Sequence, residues 1–209
     1  DVSVFVVDKT KEKEISFAIH SLTARIKPLD SSLEIRLSEK ITMKRGLGFN
    51  LAKGACLESQ TLNGNWLIRF NLTTRTFSSN NASVAIGKQP FQLSGRFTLD
   101  KINPSFAIRF KVKQVPYSLA KEIVTAHIRK KLELANVQEP LDANGTIEGS
   151  LLPAREPAIS INWQTTNNTV LTDAGRFSKC SFAGNFMNTL NPAAAHVDSN
   201  SRISFSRFN

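Results

Sequence analysis

The feature that most constrains this fold is an alternation of apolar and polar side chains that recurs in one segment after another. Trp66, Ile68 and Phe70 alternate with polar residues such as Arg69, and residues 106–113 repeat the pattern. Successive side chains of a β-strand point to opposite faces, so alternation of this kind predicts strands with one apolar and one polar face.

The alternating segments follow one another at intervals of about ten residues, which is typical of an antiparallel meander. Turns are predicted at residues 62–65 and 78–81, and a polar loop at residues 164–169. The chain has 209 residues, of which 41% are hydrophobic, so it can bury a core. We predict a mainly β fold in which residues 1–209 form a single domain. Its large, twisted antiparallel sheet would be either a β-groove or a sandwich.

One stretch departs from this period. Between residues 118 and 134, apolar side chains recur three and four positions apart, and Leu119, Ile123 and Ala126 form one row. Pro116 lies just upstream, as is common at the start of a helix. We predict one amphipathic helix of about five turns here, packed on the sheet or closing one end of it.

The charge of the chain bears on its partners. The formal net charge is +10, which predicts attraction to anionic partners such as nucleic acids or acidic lipid headgroups. Nucleic-acid binding also requires exposed aromatic side chains among the basic ones, but most of the 14 phenylalanines fall on the apolar side of alternating segments. We therefore expect no nucleic-acid partner.

No pattern of catalytic or metal-binding residues is present. His20, His127 and His196 lie far apart and in no metal-ligand spacing. The chain has no phosphate-binding loop, no dinucleotide-binding glycine motif and no nucleophile elbow. We predict that it is not an enzyme and that it needs no cofactor and no metal.

The two cysteines are only weak evidence about the redox environment of the chain. Cys56 and Cys180 are far apart and belong to no Cys-x-x-Cys pair. We interpret them as free thiols in buried positions. A disulfide between them is the alternative if the domain lies in an oxidising compartment.

The apolar faces of the central strands are the candidate binding site. An open groove lined by them could hold acyl chains, and the helix row Leu119, Ile123 and Ala126 would be its lid. The same side chains would also make an ordinary closed core under the helix, which is the commoner arrangement. The candidate groove residues are Trp66, Ile68, Phe70, Phe97, Leu99, Phe106, Ile108 and Phe110.

Several stretches carry a family resemblance. The run IRKKLELANVQEPLDANGTIEGSLLPAREPAISINWQTTNNTV (residues 128–170), followed by GRFSKCSFAGNF (175–186) and NSRISFSRF (200–208), resembles the AsmA-like envelope proteins, particularly those of Bacteroidetes. LGFNLAKGACLESQTLNGNWLIRFN (47–71) and KQPFQLSGRFTLDKINPSFAIRF (88–110) have the same character. The resemblance covers nearly the whole chain and includes no catalytic motif.

The resemblance implies a β-rich periplasmic module of a protein anchored in the inner membrane by a segment outside this chain. It also implies a part in outer-membrane biogenesis, through lipid transport or lipid handling. The partners would be a phospholipid or another envelope lipid, together with envelope proteins. We expect the chain to be a piece of a longer protein. The alternative function is a β-sandwich that binds a glycan or a protein at the cell envelope, with Trp66, Trp163 and Tyr117 as the aromatic residues for sugar stacking.

Overall fold

A single antiparallel sheet of twelve strands makes up most of this fold, as a computed structural model shows. The structure describes residues 1–8, 13–46, 56–152, 156–191, 194 and 198–206. The predicted mainly β fold is confirmed. Two short helices complete the described structure, together with a single 3-10 turn.

The strands and helices have the following bounds. The strands are β1 (Val2–Asp8), β2 (Lys13–Leu29), β3 (Ser32–Arg45), β4 (Thr61–Asn71), β5 (Thr76–Ile86), β6 (Gln89–Thr98), β7 (Ser105–Val115), β8 (Ala135–Val137), β9 (Leu141–Ser150), β10 (Ala158–Thr172), β11 (Gly175–Met187) and β12 (Arg202–Ser206). The helices are α1 (Tyr117–Glu122) and α2 (Ala126–Leu132).

The strand order is that of a meander with one insertion. Strands β1 to β7 pair in chain order, β9 pairs with β7, and β10 to β12 continue the sheet. The helices and β8 are inserted between β7 and β9, and β8 pairs with the far end of β10. All described strands belong to this one open sheet, so they do not form a sandwich.

The register between strands collects the apolar side chains on one side of the sheet, which we call the apolar face. Directly paired residues of antiparallel strands point to the same face. Two of its rows cross the second half of the sheet, and a third crosses the middle. The rows are Ala82–Leu93–Phe110–Gly145–Ile161–Phe186–Ile203, Val84–Phe91–Val112–Ala143–Trp163–Gly184–Phe205 and Phe70–Phe77–Phe97–Phe106.

The most buried part of the apolar face lies under the helices. Tyr117, Leu119, Ala120 and Ile123 pack against a cluster of eight buried residues. Burial of these side chains is the main favourable term that holds the helices on the sheet. The eight residues are Ile86, Phe91, Val112, Val115, Val137, Leu141, Cys180 and Phe182.

The predicted single helix over residues 118–134 is instead two helices, α1 and α2. The break contains Ile123, Val124 and Thr125, three consecutive β-branched residues, which lose rotamer freedom in a helix. Thr125 has an extended backbone and precedes α2 as its N-cap residue. The carbonyl oxygen of Ile123 accepts a hydrogen bond from the backbone N–H of Leu57 at 3.2 Å, a bond from outside the helix.

The turn predicted at residues 62–65 is wrong, because these residues lie inside β4. Gly64 sits between Glu39 of β3 and Val84 of β5, and the indole ring of Trp66 lies over it. A Cβ atom at Gly64 would be 2.7 Å from Trp66 Nε1, so the glycine leaves room for the ring. The Asn-Gly-Asn sequence therefore accommodates a neighbouring side chain instead of turning the chain.

The turn predicted at residues 78–81 and the loop predicted at residues 164–169 are also wrong. Both stretches lie inside long strands, β5 and β10, and both contain shifts of register. In β10 the shifts fall on either side of Asn168. Polar, turn-like residues at these places form β-bulges, which bend a strand without ending it.

Candidate functional site on the apolar face

The structure brings most of the predicted groove residues onto the apolar face. Seven of the eight lie within β4, β6 and β7, whereas Leu99 lies just after β6. Phe97 and Phe106 are directly paired and their rings stack, with centroids 5.9 Å apart. Phe70 stacks in the same way on Phe77 of β5, at 4.2 Å. We call Phe70, Phe77, Phe97 and Phe106 the aromatic row.

Phe77 belongs to the site but was missed in the sequence. Its same-face neighbour on β5 is the polar Ser79, and residues 78–81 have the composition of a turn. The alternation is therefore too short to indicate a strand there. The usable signal was the spacing of Phe70 and Phe77 on either side of a short turn, Leu72 to Arg75, which favours a hairpin.

Burial changes sharply along the aromatic row. Phe106 is only 5% exposed, whereas its partner Phe97 is 37% exposed. Phe106 lies beside Gly149, where a Cβ atom would be 3.7 Å from its Cε1 atom and 3.1 Å from the Cα atom of Pro157. The segment at Pro157 therefore approaches the row at the Phe106 end, and the row is open at Phe97.

Trp66 is held by a polar contact at the edge of the apolar region. Its indole Nε1 donates a hydrogen bond of 3.0 Å to Glu39 Oε1 on β3. Ile68 and Phe70, which follow on the same side of β4, are part-buried. The hydrogen bond restricts the orientation of the Trp66 indole ring.

The predicted lid covers only one end of the apolar face. Leu119 and Ile123 pack against the buried cluster beneath the helices, and Ala126 is exposed at the start of α2. Of the predicted groove residues, Phe110 packs at the margin of that cluster. In the described part of the chain, the helices and their cluster thus close the end nearest Val112 and Val115.

The aromatic residues considered for sugar stacking are part-buried. Trp163 lies over Gly184 and meets Phe205 edge-on, with centroids 6.0 Å apart. The hydroxyl of Tyr117 donates a 2.8 Å hydrogen bond to the carbonyl oxygen of Leu132, and burial raises the pKa of this hydroxyl. With Trp66 bonded to Glu39, each of the three rings already has partners within the protein.

The charged and metal-binding side chains of the described residues bear on whether a reactive site is present. The described side chains include no group of three or more His, Cys, Asp or Glu residues placed to hold a metal ion. His20 contacts Asp1 and Thr42 at the sheet edge. None of the helices described is long and apolar enough to cross a membrane.

Both cysteines are free thiols in the structure, Cys180 buried and Cys56 part-buried. Burial raises the pKa of the Cys56 thiol, and a hydrogen bond from the backbone N–H of Thr125 lowers it by a smaller amount. A thiol with a raised pKa has less thiolate at a given pH, and the thiolate is the reactive form.

We therefore expect Cys56 to be alkylated slowly in the folded protein, with a rate that keeps rising at pH values where an exposed thiol has levelled off. Iodoacetamide labelling of a Cys180→Ala variant, followed by mass spectrometry across a pH series, measures this. The same variant unfolded in urea is the control. Superimposable pH profiles for folded and unfolded protein would contradict the expectation.

Comparison with known proteins leaves the chain without an assigned family. No family model, no curated protein and no solved structure matches this chain. The resemblance to AsmA-like proteins therefore stays a prediction.

Proposed function

We propose that this chain is a non-enzymatic lipid-handling module of a bacterial cell envelope, which holds acyl chains on the open part of its apolar face. The observation that carries the proposal is the extent of the apolar face. Ile26 on β2, Ile35 on β3 and Ile68 on β4 are directly paired on it, the rows described above continue it to β12, and in the described part of the chain the helices pack over one end of it. Contiguous exposed apolar surface on a protein commonly marks a binding site.

The open part of the apolar face is suited to an apolar ligand. Ile26 on β2 is 62% exposed and Phe205 on β12 is 63% exposed, at opposite ends of the strand order. The rings of the aromatic row have no hydrogen-bonding groups, so a polar ligand lying on them would lose its own hydrogen bonds to water. An acyl chain has no such groups and gains about 25 cal/mol for each Å² of apolar surface that it buries.

The charge of the protein favours an anionic lipid as the occupant. A net charge of +10 attracts acidic headgroups, and acyl chains attached to them would then reach the apolar face. The resemblance to AsmA-like proteins supports the same proposal. Under this proposal the module would lie in the periplasm, with an inner-membrane anchor in a segment outside this chain and a role in outer-membrane biogenesis.

Phe97→Asp tests the proposal at a position that the fold tolerates. Because Phe97 is 37% exposed, a carboxylate there remains hydrated, but it places a charge where an acyl chain would lie. We expect the variant to fold and to carry about tenfold less co-purified phospholipid, which corresponds to a loss of ~1.4 kcal/mol of binding free energy. Lipid extraction and mass spectrometry of gently purified protein measure the bound lipid.

Asn65→Asp is the matched control, because it adds the same charge at an exposed position on the opposite side of β4. It should retain the wild-type amount of lipid. Wild-type protein that carries no lipid and takes up none from phospholipid vesicles would refute the proposal. So would a stable dimer that buries Phe97, which size-exclusion chromatography with light scattering would detect.

A further inference from the structure

The face of the sheet opposite the apolar face carries a row of polar side chains, which we call the amide row. Lys111, Asn144, Asn162, Asn185 and Ser204 are paired across five strands, β7, β9, β10, β11 and β12. Directly paired residues lie side by side, with Cβ atoms about 5 Å apart. The row therefore forms a continuous polar strip on that face.

The asparagine side chains of this row are hydrogen-bonded in series, each donating to the next in the direction of Lys111. Asn185 Nδ2 donates to Asn162 Oδ1 at 2.8 Å, and Asn162 Nδ2 donates to Asn144 Oδ1 at 3.5 Å. The amide oxygens of Asn162 and Asn144 are thus engaged by donors. At the last amide of the row, Asn144 is directly paired with Lys111, and no acceptor for its Nδ2 group occurs among the described residues.

A depression of about 530 Å³ lies along the amide row. One wall is the amide row, and the other is the adjacent polar row to which Lys113, Asp142 and Gln164 belong. The residues between the two rows, such as Val112, Ala143 and Trp163, form the floor. A smaller depression of about 210 Å³ shares Asn144 and Asn162 with it and is lined by Arg109 as well. Sites for small ligands typically have volumes of this order.

Positive charge exceeds negative charge among the residues that line the larger depression, which include Lys111, Lys113 and Asp142. Lys111 and Lys113 are exposed, and neither has an ion-pair partner among the residues that the structure describes. Asp142 is the one acidic residue in this lining, and its Oδ1 accepts bonds from the backbone N–H of Gln114 at 2.9 Å and from the Gln114 side chain at 3.4 Å. Two cationic residues, one carboxylate and the Asn144 amide therefore line the same space, with an excess of positive charge.

We propose that this depression binds the phosphate group of a phosphate-bearing ligand, with Lys111 and Lys113 pairing with its charge and Asn144 donating to its oxygens. Phosphate oxygens accept several hydrogen bonds, and bonds to a charged acceptor are about twice as strong as neutral ones. The ligand is either an anionic lipid headgroup or a free phosphate. The site lies on the face opposite the acyl-chain surface, so it does not depend on the proposed function.

The test uses two probes, inorganic phosphate and vesicles of phosphatidylcholine with or without phosphatidylglycerol. Binding is measured by calorimetry for phosphate and by co-sedimentation for vesicles. The double variant Lys111→Gln, Lys113→Gln should weaken binding about tenfold or more. Asn144→Ala should weaken it several-fold without any change of net charge. Circular dichroism and thermal unfolding check that each variant keeps its fold.

The matched control is Lys40→Gln with Lys101→Gln, which removes the same charge from two exposed positions, one on β3 and one between β6 and β7, away from the amide row. It should bind as the wild type does. Equal weakening by both double variants would show that net charge alone is responsible and would overturn the proposal, as would wild-type protein that binds neither probe. Co-sedimentation with phosphatidylglycerol vesicles that is lost in the Lys111→Gln, Lys113→Gln variant identifies a lipid headgroup. Calorimetric binding of phosphate without any co-sedimentation identifies a free phosphate.

Discussion

Phe106→Asp is expected to lower the free energy of unfolding by about 4 kcal/mol or more. The side chain is 5% exposed, stacks on Phe97 and lies beside Gly149, so the substitution leaves a cavity and places a carboxylate in it. Its directly paired neighbours, Phe97 on β6 and Gly149 on β9, are uncharged, so neither can pair with that carboxylate. Urea unfolding followed by circular dichroism measures the loss.

Phe97→Asp is the matched comparison for stability, because it makes the same chemical change on the paired strand. Its cost should be only about 1 kcal/mol, since the residue is more than one-third exposed. Similar losses for the two variants would contradict the burial gradient along the aromatic row. Phe110→Asp should resemble Phe106→Asp, because Phe110 packs at the margin of the buried cluster.

Asn168→Ala is expected to cost about 3 kcal/mol of unfolding free energy. Asn168 is fully buried, and its amide makes four hydrogen bonds. Its Oδ1 accepts from the backbone N–H groups of Glu139 and Thr169, and its Nδ2 donates to the carbonyl of Glu139 and the hydroxyl of Thr165. The substitution would leave these groups without a partner inside the protein.

Asn136→Ala is the control, because Asn136 is an exposed asparagine on β8, close to the same junction. It should change stability by less than about 0.5 kcal/mol. Thermal and urea unfolding of both variants provide the measurement. A loss below about 1 kcal/mol for Asn168→Ala would mean that water replaces the amide in the bulge, and the assigned role of Asn168 would be wrong.

Much of the sheet could be predicted because long stretches of its strands, between the bulges, keep a period of two. Trp66, Ile68 and Phe70 lie on one side of β4, and Phe106, Ile108 and Phe110 lie on one side of β7, in accordance with alternation alone. Alternation reports local backbone geometry, and that geometry is the same in a sandwich and in an open sheet. The sequence therefore did not distinguish an open face from a closed one.

The wrong predictions share a physical cause. Local residues allow more than one conformation, and contacts with residues distant in sequence determine which conformation is adopted. Gly64 permits a turn, but the Trp66 ring occupies the space that it leaves. The break at Ile123 to Thr125 is favoured by the hydrogen bond from Leu57, a residue far away in sequence. Likewise, Asn144, Asn162 and Asn185 are widely spaced in the chain, and only the register of β9, β10 and β11 aligns them.

The insertion of the helices between β7 and β9 has a consequence for the order in which the chain folds. Neighbouring strands from β1 to β7 are joined by short connections, except for residues 46–60 between β3 and β4, so most of these pairings close a small loop at low entropic cost. The pairing of β7 with β9 must instead close a loop that holds α1, α2 and β8. The strands before the insertion, β1 to β7, and those after it, β9 to β12, should therefore pair first, as two separate units. Pairing of β7 with β9 would then be the slow step in joining the two units.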